Sequence, residues 1–239
     1  MKSKLLLFFF ASIVILNAGC NNVGCITGSG KQVSQTREIG DFRMLKASGS
    51  MKVFIRQDSA QSVKITADDN IIDHIESRVK GNTLEIGMER GMYCTEGDIT
   101  VYISSKYFNG LDASGANEIV TEGKFNTENF DLDLSGSNKV KLDLNAADVR
   151  TQASGSSEIV LSGQARSHTL SMSGSGEVNA LNFTVGEYKI ESSGASKCSI
   201  NVLKSLKVNS SGSSEIVYRG SPSVVNNDNS GASSIKRVD

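Results

Sequence analysis

The chain has 239 residues, enough for one or two ordinary domains with a buried core. Its net charge of -1 at pH 7 gives no basic field of the kind that binds nucleic acid or an anionic membrane surface. The 23 glycines, the single proline and the lack of tryptophan fit many short strands with tight turns better than helices.

The first nineteen residues have the pattern of an export signal. Lys2 and Lys4 precede an apolar run over residues 5–16, which is too short for a comfortable transmembrane helix. The run ends in Asn-Ala-Gly-Cys at residues 17–20, which resembles the lipobox of bacterial lipoproteins. The usual leucine of that motif stands one place early, at Leu16.

We therefore expect residues 1–19 to be a lipoprotein signal peptide and Cys20 to be the lipid-modified first residue of the mature protein. A lipid on Cys20 would hold the protein on a membrane without spanning it. The expected location is the cell envelope, at the outer membrane of a Gram-negative bacterium. The alternative is a soluble secreted protein cleaved near Ala18.

Three further cysteines follow, in what the signal predicts to be an oxidising compartment. Cys25, within an N-terminal tether assigned to residues 20–36, and Cys94 both lie in glycine-rich irregular sequence, and we predict that they pair. His74 and His168 have no ligand partners nearby in sequence, and the chain contains no Cys-x-x-Cys. We expect neither a metal site nor a cofactor.

Residues 37–239 are predicted to form one β-helix domain, of which residues 37–108 are the less regular N-terminal part. Alternating segments at 63–67, 83–88 and 98–103 predict strands. Residues 68–79 read as a short helix with His74 on its solvated side. This part is expected to pack on the first coils and to cap that end.

A Ser-Gly dipeptide recurs through the rest of the chain at gaps of 18 to 21 residues. An apolar residue follows five places after most of these serines, and another precedes many of them by three places. The serines are Ser114, Ser135, Ser154, Ser173, Ser193, Ser211 and Ser230, and Ser48 begins the series. An internal period near this length, with β-branched residues in fixed phase, indicates a solenoid.

The period-two alternation of segments such as 130–136 favours an all-β fold, a single-stranded parallel β-helix with coils of about 19 residues. Each coil is expected to contain two or three short strands, with Ser-Gly at a corner. Residues 109–220 would be the regular coils, and the polar residues of 221–239 a C-terminal cap over the open end.

Cys198 lies in the inward apolar column, which predicts a buried thiol of low reactivity; a reactive cysteine is the alternative.

One outward column carries mainly charged residues, and we treat it as the possible binding face. Its members are Glu118, Lys139, Glu158, Glu177, Lys197 and Glu215. The simplest interpretation is a solvated charged surface. The sharper interpretations are a sugar-binding ladder assisted by a cation, or a pair of catalytic carboxylates at Glu158 and Glu177. The column just before it, with Asn117, Asn138 and Ser157, offers hydrogen bonds along a groove or consists simply of turn residues.

Several stretches together resemble the head GIN domain family, described as auto-transporter adhesins. They are Ile39-Gly40-Asp41-Phe42, ASGSMKVFIRQ at 47–57, VKITADDNIIDHIESRVKGNTLEI at 63–86, and the repeated SGSSEI at 154–159 and 211–216. The resemblance covers about residues 35–235 and implies a β-helix, of the right-handed kind, in a lipoprotein or secreted protein of Bacteroidetes-type bacteria. It implies adhesion or polymer binding and supplies no catalytic motif.

Three functions remain open from the sequence. The first is a non-enzymatic, adhesin-like envelope lipoprotein that binds a polysaccharide or another polymer. The second is a polysaccharide lyase or hydrolase, since such enzymes also use β-helices, although fold alone is weak support. The third is a structural role in envelope assembly, with an envelope protein as partner.

Overall fold

The computed structural model describes residues 24–95 and 97–239. The predicted signal peptide and Cys20 lie outside the described residues. The described chain is a parallel β-solenoid of about 7 turns, with coils about 19 residues apart, as the repeat predicted. Within the described ranges, no helix is both long and apolar enough to cross a membrane.

The N-terminal part, residues 37–108 together with the two strands that begin before them, mixes antiparallel and parallel pairs. Its strands are β1 (Ile26–Thr27), β2 (Gln32–Arg37), β3 (Met44–Gly49), β4 (Lys52–Gln57), β5 (Ser62–Asp68), β6 (Ile75–Lys80), β7 (Thr83–Met88), β8 (Tyr93–Cys94) and β9 (Thr100–Ser105). The order β2–β5–β9 is antiparallel, and so is β6–β7. β3–β7 and β4–β9 are parallel. β3 and β4 also pair in parallel with the first strands of the coils, at residues 110–115 and 118–121, and so join this cap to the coils.

The helix predicted over residues 68–79 is wrong. Only one turn of 3-10 helix forms, over Ile72–His74, and β6 begins at Ile75. β6 is drawn into an antiparallel hairpin with β7 because Gly81 and Asn82 make a two-residue connection between them. Gly81 has φ 61°, the left-handed region that such a turn requires. Cross-strand pairing therefore overrides the helical periodicity of Ile71, Ile72 and Ile75.

The regular coils contain longer strands than the sequence predicted. The strands from residue 110 to the C-terminal end are β10 (Gly110–Gly115), β11 (Glu118–Thr121), β12 (Phe125–Gly136), β13 (Lys139–Gly155), β14 (Glu158–Gly174), β15 (Glu177–Gly194), β16 (Lys197–Gly212), β17 (Glu215–Arg219), β18 (Val224–Gly231) and β19 (Ser234–Arg237). From β13 to β16, one bent strand takes up most of each coil instead of two or three short ones. Each of these strands ends at the Ser-Gly corner.

The register is in phase with the repeat, so equivalent positions stack from coil to coil. Ile159 lies between Val140 and Val178, and Ser154 between Ser135 and Ser173. One inward column is almost fully buried: Ile119, Val140, Ile159, Val178, Cys198 and Ile216, each exposed by 1% or less. Burying each such aliphatic side chain contributes about 1.5–3 kcal/mol. The core is therefore a set of apolar columns parallel to the solenoid axis.

The glycine of the Ser-Gly corner is required by both conformation and space. Gly155 has φ 89°. A Cβ built on it would lie 2.4 Å from the carbonyl oxygen of Gly136, the same glycine one coil earlier. The same contact recurs at the corners along the solenoid, so the glycines form a stack in which no side chain fits.

The disulfide between Cys25 and Cys94 lies beside the N-terminal cap, with a Cα–Cα distance of 5.7 Å. It closes a small parallel pair in which Ile26 faces Tyr93. Buried Asp68 of β5 also ties this segment down, because its carboxylate accepts hydrogen bonds from Gln32 Nε2 at 2.6 Å and Thr95 Oγ1 at 2.9 Å. The stretch assigned to a tether, residues 20–36, thus contributes to the cap, because it contains β1 and all of β2 except Arg37.

The C-terminal end is an open edge. β18 pairs with β16, and β19 pairs with β17. Each of the last two strands therefore has a partner on one side, and no strand of the described residues pairs with its other edge. Val225 is 47% exposed although it stacks on Leu206, which is fully buried. Asn227 takes the place that Val208 has one coil earlier. The polar substitutions that indicated a C-terminal cap therefore stand on the last, solvent-facing rung.

Candidate functional site

The six charged residues singled out from the sequence do lie on one line of the surface. Parallel register brings Glu118 beside Lys139, Lys139 beside Glu158, and so on to Glu215, with Ser234 on the last rung. Adjacent strands of a sheet lie about 4.8 Å apart, so this line offers one side chain per rung at that spacing. We call the row from Lys52 to Ser234 the charged ladder.

Lys52 begins the charged ladder and was missed from the sequence. It pairs in register with Glu118. The signal was present, because Lys52 follows Ser48 by four residues, as Glu118 follows Ser114. Its ammonium group lies 2.7 Å from the Asp98 carboxylate, and that hydrogen bond raises the pKa of Lys52.

The charged ladder is exposed and only loosely paired. Lys139 Nζ lies 3.3 Å from Glu158 Oε2, and the two side chains are 61% and 50% exposed. Exposed pairs of this kind contribute at most about 1 kcal/mol to stability. Glu158 and Glu177 are in-register neighbours, so two carboxylates of like charge follow each other. Little of this row is needed to hold the fold together, which leaves it free for contacts outside the molecule.

Glu158 and Glu177 do not have the setting of a catalytic carboxylate pair. In glycoside hydrolysis one carboxyl must stay protonated, which enzymes achieve by removing it from water. Both glutamates are exposed on a shallow surface, lined around them by Ser156, Ser175 and Lys197. Across residues 24–95 and 97–239, no three His, Cys, Asp or Glu side chains are grouped to hold a metal ion.

The asparagine and serine column just before the charged ladder points inward. Asn117 and Asn138 are each 2% exposed, and Ser157 is 4% exposed. Asn138 Oδ1 accepts from Asn117 Nδ2 at 3.0 Å, and Asn138 Nδ2 donates to the Ser135 carbonyl at 2.7 Å. The column therefore satisfies backbone groups inside the corner, and the suggestion that it lines a binding groove is wrong.

A second polar surface lies on the other side of the Ser-Gly corner. Ser135, Ser154 and Ser173 form its rim, and Asp112 and Asp133 stand on the neighbouring outward row, around a groove of about 350 Å³. We call this surface the serine groove. The sequence signal for the serine groove is the recurrent serine itself, which the repeat pattern alone places only at a corner.

The two aspartates of the serine groove differ in their surroundings. Asp112 accepts a hydrogen bond from Lys46 Nζ at 2.7 Å, which raises the pKa of Lys46. Partial burial, followed by the charges of Asp112 and Asp131, raises the pKa of Asp133. Asp133 therefore gains a proton more readily than an ordinary aspartate.

Inside the solenoid, His168 takes part in a buried polar cluster. Its Nδ1 lies 2.7 Å from the hydroxyl of Tyr188 and its Nε2 lies 2.9 Å from Thr151 Oγ1. Burial lowers the pKa of His168 to about 3, so the imidazole is neutral. Cys198 is fully buried, and burial raises the pKa of its thiol to about 12. The prediction of a buried thiol at Cys198 is confirmed, and none of these groups reaches a surface ligand.

The solenoid is similar to several solved structures. A protein described as "a putative adhesin" from Bacteroides fragilis has 22% sequence identity and a TM-score of 0.82, with 89% of this chain and all of that chain (100%) covered. A "putative lipid binding protein" from Parabacteroides distasonis has 21% identity and a TM-score of 0.70, covering 90% and 100%. A "putative adhesin" from Parabacteroides merdae has 22% identity and a TM-score of 0.69, covering 90% and 99%. These likenesses establish the fold.

No curated protein matches the chain. The sequence model of one family does match, over residues 41–222, and its description is "Putative auto-transporter adhesin, head GIN domain". That match spans most of the described solenoid, from the loop after β2 to the loop after β17. It includes the whole charged ladder except its last rung. The chain therefore belongs to the head GIN domain family.

Proposed function

We propose that the protein is a non-enzymatic lipoprotein of the cell envelope that binds an extended polymer, most simply a polysaccharide, along the charged ladder. The observation that carries the proposal is the in-register stacking of one exposed polar side chain per coil from Lys52 to Glu215. A ligand that itself repeats along its length can meet such a row at many points. Weak contacts at successive rungs then add to a useful affinity, as in other multivalent binding.

The surfaces favour a polymer over a small molecule. Small-molecule sites are usually concave and largely apolar. The surface around Glu158, Glu177 and Lys197 is instead shallow and lined by serines, alanine and charged groups. The interior of the solenoid, as far as residues 24–95 and 97–239 describe it, offers no alternative site, because its columns are packed with side chains such as Phe125, Phe183 and Leu206. The family and its solved relatives carry adhesin descriptions, which fits this proposal.

The membrane is the second expected partner, through a lipid on Cys20. The support is the apolar run of residues 5–16 and the lipobox-like residues before Cys20. The outer membrane is the proposed site, in keeping with the Bacteroides and Parabacteroides sources of the similar structures. With a net charge of -1, nucleic acid is not a proposed partner.

The test uses the full chain purified in detergent and a panel of bacterial, plant and host polysaccharides. Retention of the protein and the appearance of new chain ends are measured in the same tubes. Retention without cleavage supports the proposal. Cleavage overturns the proposal in favour of a lyase or hydrolase. If the protein is neither retained nor cleaves any polysaccharide, an envelope protein is favoured as the partner.

Matched variants locate the binding surface. E158Q and E177Q together remove two neighbouring charges of the ladder. E128Q and E187Q together remove two exposed carboxylates from outside it. If the ladder binds the polymer, only the first pair reduces retention, by severalfold. Equal retention by both pairs would move the site away from the ladder, and a parallel D112N and D133N pair tests the serine groove.

A further inference from the structure

Two exposed apolar side chains lie close together in the N-terminal part of the protein. Ile26 is 38% exposed and Met92 is 57% exposed. The N–H of Ile26 donates to the Met92 carbonyl at 2.8 Å, so both residues belong to one small hydrogen-bonded unit. We call residues 25–27 and 92–94 the apolar tip. An isolated exposed apolar side chain needs no explanation, whereas two on one hydrogen-bonded unit form a small apolar surface.

The apolar tip is fixed to the cap and cannot turn inward. The Cys25–Cys94 disulfide joins its two halves. Gly28 N–H donates to the Cys94 carbonyl at 3.2 Å, and Asn70 Nδ2 donates to the Thr27 carbonyl at 2.7 Å. The first bond holds the two halves of the tip together, and the second attaches the tip to the turn after β5, where Asn70 lies. Its exposure is therefore built into the cap.

The chain outside the described residues determines what can cover the tip. Cys25 comes five residues after Cys20, the expected lipid-bearing residue. Five residues span at most about 17 Å when fully extended. The hydrocarbon core and the headgroup layers of a bilayer together measure about 40–45 Å, against about 30 Å for the core alone. A lipid inserted through Cys20 therefore holds the disulfide, and the tip with it, at or near the headgroup layer.

We propose that the apolar tip, with Ile26 and Met92, enters the interfacial layer of the bilayer as a second contact beside the lipid. This inference rests on the proposed lipid attachment at Cys20. A lipid on a flexible tether would leave the solenoid free to turn in any direction. A lipid together with the rigid tip sets the N-terminal cap against the membrane. The charged ladder then starts at the membrane surface, at Lys52, and extends away from it.

The natural lack of tryptophan makes a direct test possible. M92W places a single indole on the tip, and L203W places one on an exposed residue of β16, far along the solenoid; Leu203 is 52% exposed. The acylated full chain is reconstituted into phosphatidylethanolamine–phosphatidylglycerol vesicles with or without brominated acyl chains. Fluorescence quenching by bromine reports contact with the acyl region, and quenching by acrylamide reports contact with water.

We expect bromine to quench the M92W indole at least about threefold more than the L203W indole, with the opposite order for acrylamide. Equal quenching in the two variants, in protein that floats with the vesicles, overturns the tip contact and leaves the lipid anchor intact. I26W is a second reporter on the tip and must give the same answer.

Flotation separates failure of the tip from failure of the anchor. Wild-type protein produced in a lipoprotein-processing host should float with vesicles, whereas C20S should not. If neither protein floats, both the proposed attachment and the tip contact that rests on it are wrong. If both float, Cys20 is not the anchor and the proposed attachment is wrong, while the quenching of the tip indoles decides the tip contact. Polysaccharide retention is measured separately and is unaffected by this outcome.

Discussion

The imidazole of His168 and the phenol of Tyr188, one coil apart in the same inward column, meet at 2.7 Å inside a packed solenoid. His168 is 1% exposed and Tyr188 is 2% exposed. Desolvation lowers the pKa of the histidine and raises that of the tyrosine well above its ordinary value. Both rings are therefore neutral over the physiological range, and protonation of the histidine must oppose folding.

This pair predicts a loss of stability in acid. The pKa of His168 falls from 6.5 to about 3 on folding, so the unfolded chain binds the proton first. The contribution is complete above pH 6.5 and is lost as the pH falls from there toward 3. Over that window the free energy of unfolding should drop by about 1.4 kcal/mol per pH unit from this residue alone.

Urea unfolding of wild type and H168L between pH 8 and pH 4 measures that slope. Leucine suits the column, since Val149 and Leu206 occupy it on nearby rungs. Titrating carboxylates affect both proteins alike, so the difference in slope isolates His168. Parallel curves for the two proteins would contradict the prediction.

The stacked corner glycines predict a position-dependent cost of adding a methyl group. Gly155 and Gly123 have nearly the same φ, 89° and 88°. A Cβ at Gly155 would lie 2.4 Å from Gly136 O, whereas one at Gly123 would meet nothing within 4 Å. G123A should cost about 1–2 kcal/mol for the left-handed backbone alone. G155A should cost at least about 2 kcal/mol more, since two coils must separate.

Chemical denaturation of the two alanine variants checks this directly. The matched backbone angle cancels the conformational strain, and the remainder is the contact between coils. Equal destabilisation would show that the corners can open without cost. It would then remove the steric reason for glycine in the repeat.

The disulfide between Cys25 and Cys94 is predicted to stabilise the cap. Its sequence separation is 69 residues. Closing a loop of this length lowers the entropy of the unfolded chain by an amount worth about 4 kcal/mol in the simple polymer treatment. The C25S and C94S double variant should unfold at a lower urea concentration, and hydrogen exchange at Ile26 and Thr27 should become fast. An unchanged midpoint together with slow exchange would contradict this.

The thiol of Cys198 should resist modification until the solenoid unfolds. With its pKa raised to about 12, roughly one molecule in 10,000 carries the thiolate at pH 8, and the side chain is also buried. In C20S protein, a maleimide reagent should label Cys198 only after denaturant is added. Rapid labelling of the native protein would show that the coil opens or that the thiol lies closer to the surface.

Much of the fold could be predicted from the sequence because every regular coil of the solenoid repeats the same residue pattern. Ser114, Ser135 and Ser154 mark the same corner, and apolar residues at a fixed distance mark the same inward column. The N-terminal part has no such redundancy. There the three isoleucines near His74 fit a helical face, and only the Gly81–Asn82 turn indicated the hairpin that forms.

Of the candidate site, the charged ladder could be predicted from the sequence, but the burial of the asparagine and serine column could not, for a physical reason. A charged residue such as Glu158 must point outward, so the ladder followed from alternation. Asn138 and Ser157 are small and polar, and such side chains serve equally well in solvent or in hydrogen bonds to buried backbone. Their burial depends on how tightly the corner closes, which the glycines decide through contacts between coils. The serine groove depends on that same closure and therefore emerged only in three dimensions.

The in-register coils also bear on how such a protein can change over generations. Each middle coil meets its neighbours through the same glycine contact and the same apolar columns. A duplicated or deleted coil would thus find matching partners on both sides. Each event would lengthen or shorten the outer rows by one strand spacing, about 4.8 Å, without altering the cap or the terminal rung. Duplication or loss of a single repeat in the gene is therefore enough to match the length of this surface to a longer or shorter target.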